Sequence, residues 1–117
     1  MEITLRIDGK DVPFKSSGAT AKRYMMQFQR DLLKDVLSMG VVEINFDGAT
    51  DIEKLKWIRD NIDFNMFYDI AWVFAKTANP SIPDPLTWLD SFDEFPIYEI
   101  IEPIKDLLAT SFMPRKK

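Results

Sequence analysis

The 117-residue chain contains neither cysteine nor histidine. Without cysteine there is no disulfide, no thiolate zinc site and no cysteine nucleophile. Without histidine the commonest general base and the commonest transition-metal ligand are missing, so most hydrolase triads cannot be assembled. Glycine is scarce as well: Gly9, Gly18, Gly40 and Gly48 stand alone, which excludes a glycine-rich phosphate loop. The apolar runs fall far short of the roughly 20 residues of a membrane-spanning helix. The first residues, Met-Glu-Ile-Thr-Leu-Arg-Ile-Asp, lack the basic-then-apolar plan of a signal peptide. Basic charge is also in short supply. A net charge of -4 disfavours non-specific nucleic-acid binding. The short basic groups Lys22-Arg23 and Arg115-Lys116-Lys117 read as solvated ends of elements. These absences lead to the expectation of a cytosolic chain with no catalytic residue, cofactor, metal, membrane or nucleic-acid partner.

A core is available. Hydrophobic residues make up 46% and aromatic residues 13% of the chain, enough for one domain and too little length for two. Ile3, Leu5 and Ile7 alternate with polar residues, Asp8-Gly9 is a turn signal, and Val12 and Phe14 resume the alternation. This period-two pattern predicts an N-terminal β-hairpin over 2–15, with Pro13 marking a short or edge strand. From about Ala19 to Met39 the spacing turns helical, with Tyr24, Phe28, Leu32 and Val36 every four residues and Met25, Leu33 and Leu37 alongside. One amphipathic helix stopping at Gly40 is expected. Residues 41–46 fit a short strand or a loop.

Thr50-Asp51-Ile52-Glu53 is a capping-box signature, and Ile52, Leu55, Ile58 and Ile62 follow at helical spacing. Asp63 is a candidate cap for a second segment carrying Phe64, Phe67, Ile70, Ala71 and Phe74, so that 51–78 is one bent helix or two. A last helix, about Pro96 to Phe112, buries Ile97, Ile100, Ile101, Ile104, Leu107 and Leu108, with a kink expected at Pro103. The fold class is α+β: a hairpin beside a bundle of four or five helices, in one domain over 1–113 (hairpin 2–15, helical part 19–112), followed by a flexible basic tail at 114–117.

The most informative stretch is Ala71 to Phe92. A helical run ends at Ala78-Asn79, three prolines (Pro80, Pro83 and Pro85) stiffen the next six residues, and Asp84-Pro85 forms an N-cap and N1 pair for a short helix over Leu86–Phe92. Two helices set at a fixed angle, each carrying an indole, point to architecture and partner binding. Trp72 and Trp88, with Leu89, Phe92 and Phe95, are the candidate partner-binding residues. Against that, an aromatic at a corner serves packing more often than recognition.

The pattern Ala71-Trp72-x-x-Ala75-Lys76-Thr77-Ala78, then Asn79 to Pro83, then Trp88-Leu89 with Phe92 and Phe95, resembles the tail assembly chaperones of long-tailed bacteriophages and prophages of Gram-positive hosts. The hairpin with its small-residue turn and the final Ile/Leu-rich helix extend the likeness over most of the chain. The resemblance implies a non-enzymatic protein of the host bacterial cytoplasm, absent from the mature virion. Such a protein coats the long helical tape measure protein and keeps it soluble until tail tube subunits take its place. Self-association along that client is expected. It also implies a longer frameshifted product joined near the basic tail, whose residues from about Pro114 onward would be disordered alone. The competing reading is a structural connector or tail-completion protein retained in the virion.

Other clusters have plainer readings. Asp90, Asp93 and Glu94 lack the alternate ligand spacing and the glycine of a calcium loop and read as first-turn acids around a Ser91–Glu94 capping box. Asp31 and Asp35, flanked by Arg30 and Lys34, read as one solvated helix face. Met25-Met26 and Met66 read as core filling in preference to an adaptable binding surface.

Overall fold

The computed structural model describes residues 1–39 and 46–112, with the backbone alone at Phe112. The expectations for Gly40, for 41–45 and for the tail at 114–117 lie outside these residues. Two strands, β1 (Glu2–Ile7) and β2 (Lys10–Lys15), pair antiparallel with Ile3 opposite Phe14, Leu5 opposite Val12 and Ile7 opposite Lys10. Asp8 and Gly9 close the hairpin at φ 53° and 74°. These are the positive values of a type I′ turn, whose twist matches that of the strands. Phe14 and Ile7 are buried, so one face of the hairpin is core and the other is wet.

The helical part contains α1 (Thr20–Phe28), α2 (Leu32–Met39), α3 (Asp51–Asn61), α4 (Phe64–Ala78), α5 (Pro85–Asp90) and α6 (Ile97–Phe112). The architecture is α+β as expected, with six helices among the described residues where four or five were expected. At the centre lies α4. Phe67 and every residue from Ile70 to Ala75 are buried, so this helix is covered on all sides. The hairpin lies on it through β2, α1, α5 and α6 pack against it, and α6 also meets β1. On α6 all six apolar residues expected in the core are buried, and the helix continues through Pro103.

The extra helices arise from local capping chemistry. Asp63 ends any continuity between α3 and α4: its carboxylate accepts the Met66 N–H at 3.1 Å, while Ile62 turns extended. At the start of α3, Thr50 and Glu53 form the complete capping box. The expected single helix over 19–39 is broken at 29–31. Gln29 adopts a left-handed φ of 55° and its N–H reaches Met25 O at 2.8 Å. Asp31 then starts α2, its side chain accepting the Lys34 N–H at 3.2 Å and its carbonyl the Asp35 N–H at 3.0 Å. An asparagine-like short acid at a helix start is a strong cap, and here it outcompetes continuation.

The same break corrects the reading of Asp31 and Asp35 as one solvated face. Arg30, set in the elbow, donates to Asp35 at 2.9 Å, to Asp69 of α4 at 2.6 Å and to the Tyr24 hydroxyl at 3.1 Å. Its guanidinium lies 5.5 Å from the Tyr24 and Phe28 ring centres. Tyr24 in turn donates to Asp35 at 2.8 Å. Burial pushes the Tyr24 phenol up, and the Asp69 carboxylate raises the Arg30 guanidinium. At Asp69 the two influences oppose each other: burial raises the carboxyl and Arg30 lowers it, and burial prevails.

We expect Arg30→Met to lower stability by roughly 1–2 kcal/mol at neutral pH, a loss moderated by the partial exposure of the guanidinium. Asp69, already raised in the folded state, then lies buried without its cation and takes up a proton more readily still. The gap between variant and wild type should therefore narrow as pH falls through the carboxylate range. Urea denaturation of both proteins at several pH values measures it.

Candidate functional site

The helix–linker–helix corner is built by its own hydrogen bonds. Asn79 closes α4, its N–H reaching Ala75 O at 2.9 Å, and its side-chain oxygen accepts from the Ser81 N–H and hydroxyl at 3.2 and 2.6 Å. Two side chains of α4 then hold the linker: the Trp72 indole N–H donates to Pro83 O at 2.9 Å and Lys76 Nζ to Ile82 O at 2.6 Å. Prolines restrict the linker's φ angles and leave its carbonyls as acceptors for these donors. Asp84 caps α5, accepting from the Thr87 N–H at 3.2 Å and the Thr87 hydroxyl at 2.6 Å, with Pro85 in the first turn. These Thr87 bonds hold the Asp84 carboxyl below its ordinary range.

Beyond the cap, Trp88 enters the core. Its ring meets Phe92 at 5.3 Å, Phe95 at 5.5 Å and Phe14 of the hairpin at 6.5 Å, all near edge-to-face. Phe92 and Phe95 lie 5.7 Å apart, and Tyr68 of α4 meets Phe95 at the same distance. The hairpin tip fastens onto this cluster. Lys10 donates to Ser91 O at 2.7 Å with its ammonium 5.2 Å from the Phe92 ring centre, and Asp8 accepts the Asp93 N–H at 2.9 Å.

Four of the five candidate partner-binding residues are thus brought together. Trp88 and Phe92 are buried, and Leu89 and Phe95 are half-buried beside them. Trp72 lies apart, only 3% exposed, against Phe28 at 5.7 Å. Both indoles face inward. The expected Ser91–Glu94 capping box is not formed: Ser91 ends α5, its hydroxyl donating to Trp88 O at 2.6 Å, and the next helix begins only at Ile97. Among the described residues no group of three acidic side chains converges as a metal site would require.

What is exposed differs from what periodicity suggested. Ile52 and Leu55 on α3 are 64% and 46% exposed, although their spacing predicted a core face, and Tyr98 on α6 is 52% exposed. They border two adjoining hollows of about 410 and 510 Å³ between α3 and α6 that share Leu55 and Tyr98. Only Ile58 of α3 is fully buried, and Lys54 ties the helix to Glu102 at 3.6 Å. Met26 is 72% and Met25 41% exposed, against the expectation of core filling, while Met66 does pack on the core. Leu33 and Leu37 of α2 are likewise exposed. Broken helices explain this: once α1 and α2 turn at Gln29, and α3 and α4 at Asp63, each short helix has fewer neighbours to cover its apolar face.

Truncating Trp88 to alanine should cost ~3–5 kcal/mol, the range for large aromatics removed from cores, as read by thermal or urea unfolding. Asp84→Ala should lower the melting temperature at pH 7. The Asp84 carboxyl is depressed in the folded state, so its contribution is present above the unfolded carboxylate range and is lost as pH falls through the folded value. The melting difference should shrink as the pH falls below the ordinary carboxylate range.

Compared with protein-family models, curated proteins and solved structures, the chain matches none.

Proposed function

We propose that the protein is a phage tail assembly chaperone that binds the tape measure protein and keeps it soluble in the host cytoplasm until tail tube subunits displace it. Its chief support is the exposed apolar strip of Ile52, Leu55 and Tyr98 along the α3–α6 groove. A helical client can lay an amphipathic face into such a groove, anchored at helical spacing. Patches of this kind on an otherwise well-packed domain mark interaction surfaces. The sequence likeness around Trp72 and Trp88 adds to this, with those residues holding the corner that sets α4 and α5 at their angle. In this role the chaperone presents apolar surface without catalytic machinery.

Co-expression with the tape measure protein tests the proposal. The wild-type chain should raise the soluble fraction of the tape measure several-fold, and Ile52→Lys with Leu55→Lys should abolish the gain. Both positions are solvated, so the double variant should melt close to wild type. Equal rescue by the double variant would refute the groove as the client surface. Stoichiometric retention of the chain in purified virions, read by mass spectrometry, would favour a connector instead.

A further inference from the structure

A second surface, between α1 and α4, has the opposite chemistry. A pocket of about 390 Å³ opens between α1 and the last turns of α4, lined by Lys22, Arg23, Met26, Gln27, Trp72 and Lys76. It gathers three cations and no carboxylate in a chain of net charge -4. None of the three is in an ion pair among the described residues. Arg23 is half-buried, and its Nε is a buried donor with no acceptor. An unmet buried donor carries a desolvation penalty, which the guanidinium sheds if it turns outward to a ligand oxygen.

The helix beneath the pocket sharpens the point. The first turn of α1 has no acidic residue and Ala19 supplies no side-chain cap, whereas α3 has both a capping box and acids in its first turn. Lys22 and Arg23 therefore sit at the positive end of the helix dipole, where cations are unfavourable. An anion docked there would relieve both effects. Lys76 is already engaged with Ile82 O, which leaves Lys22 and Arg23 as the free cations. The rest of the wall is Ala19, the polar Gln27, the nearly buried Trp72 and the exposed, adaptable Met26.

We propose that this pocket receives an acidic segment of a protein partner, one in which a carboxylate stands beside an apolar side chain. Arg23 takes the carboxylate, as its fork of donors suits it to do. Lys22 adds charge, and the apolar neighbour rests on Met26 and Trp72. The pocket is separate from the α3–α6 groove and does not depend on the identity of the client there.

The probe is a synthetic helical peptide with glutamate and leucine on one face, titrated into the full chain by calorimetry and mapped by amide shifts in NMR. We expect binding with shifts confined to α1 and the C-terminal half of α4. A peptide with glutamine in place of glutamate should bind at least about tenfold more weakly, as should the Lys22→Glu, Arg23→Glu double variant. Lys15→Glu, on the exposed end of β2, should leave binding unchanged. Acids in the first turn of α1 favour the helix, so the double variant should melt at or above wild type. If it fails to fold, Lys22→Gln with Arg23→Gln takes its place. The proposal is overturned if wild type does not bind the peptide, if the glutamine peptide or the charge-altered variant binds equally well, or if the shifts fall elsewhere. Inorganic phosphate binding as tightly as the peptide would also overturn it, since that would mark a site for small anions only.

Discussion

The structure depends on the need to cover α4 completely. From Ile70 to Ala75 this helix exposes no polar face to water, so burial must come from every direction at once. The hairpin covers one side, α1 another, and α5 and α6 the rest. A two-stranded hairpin is marginal alone, and it is stable here because Phe14 and Ile7 complete the casing of α4. The corner after α4 follows from the same constraint. The chain must reverse to bring α5 and α6 back onto α4, and Trp72 and Lys76, donating to Pro83 and Ile82, hold that reversal.

Covering one helix this thoroughly leaves less for the others. α3 gives only Ile58 fully to the core, and α2 leaves Leu33 and Leu37 in solvent. The apolar surface left over lies on α1, α2, α3, α5 and the start of α6, while α4 is closed. The two surfaces differ in kind, one apolar along α3 and α6 and one cationic at the start of α1.

Much of this fold was legible in the residues. Alternation at Ile3, Leu5 and Ile7 with the Asp8-Gly9 turn specified the hairpin, and Asp84-Pro85 specified the start of α5. The six buried positions of α6 followed from their spacing. The elbow at Gln29 was not legible, because periodicity runs through it unbroken from Tyr24 to Val36. The break rests on Asp31 capping α2 and on Arg30 reaching Asp69, 39 residues away. Tertiary partners of that kind leave no local pattern. The exposure of Ile52 and Leu55 was hidden for the same reason: spacing tells which residues share a face, and the neighbouring elements decide whether that face is covered. Of the candidate site, the inward corner was readable from its prolines and indoles. The cationic pocket was not, since Lys76 joins Lys22 and Arg23 only when α4 packs on α1.

The hairpin's fastenings have a consequence for the order in which the chain is made. Lys10 to Ser91, Asp8 to Asp93, Ser16 to Ser111 and Met1 to Thr110 join residues 81, 85, 95 and 109 positions apart. β1 and β2 are made well before α4, α5 and α6, the elements that close their apolar face. Contacts of such long range slow folding, and at ~5–20 residues per second of synthesis the nascent hairpin spends several seconds without its cover. A chain cut short before α4 and α6 would keep these strands open to mispairing.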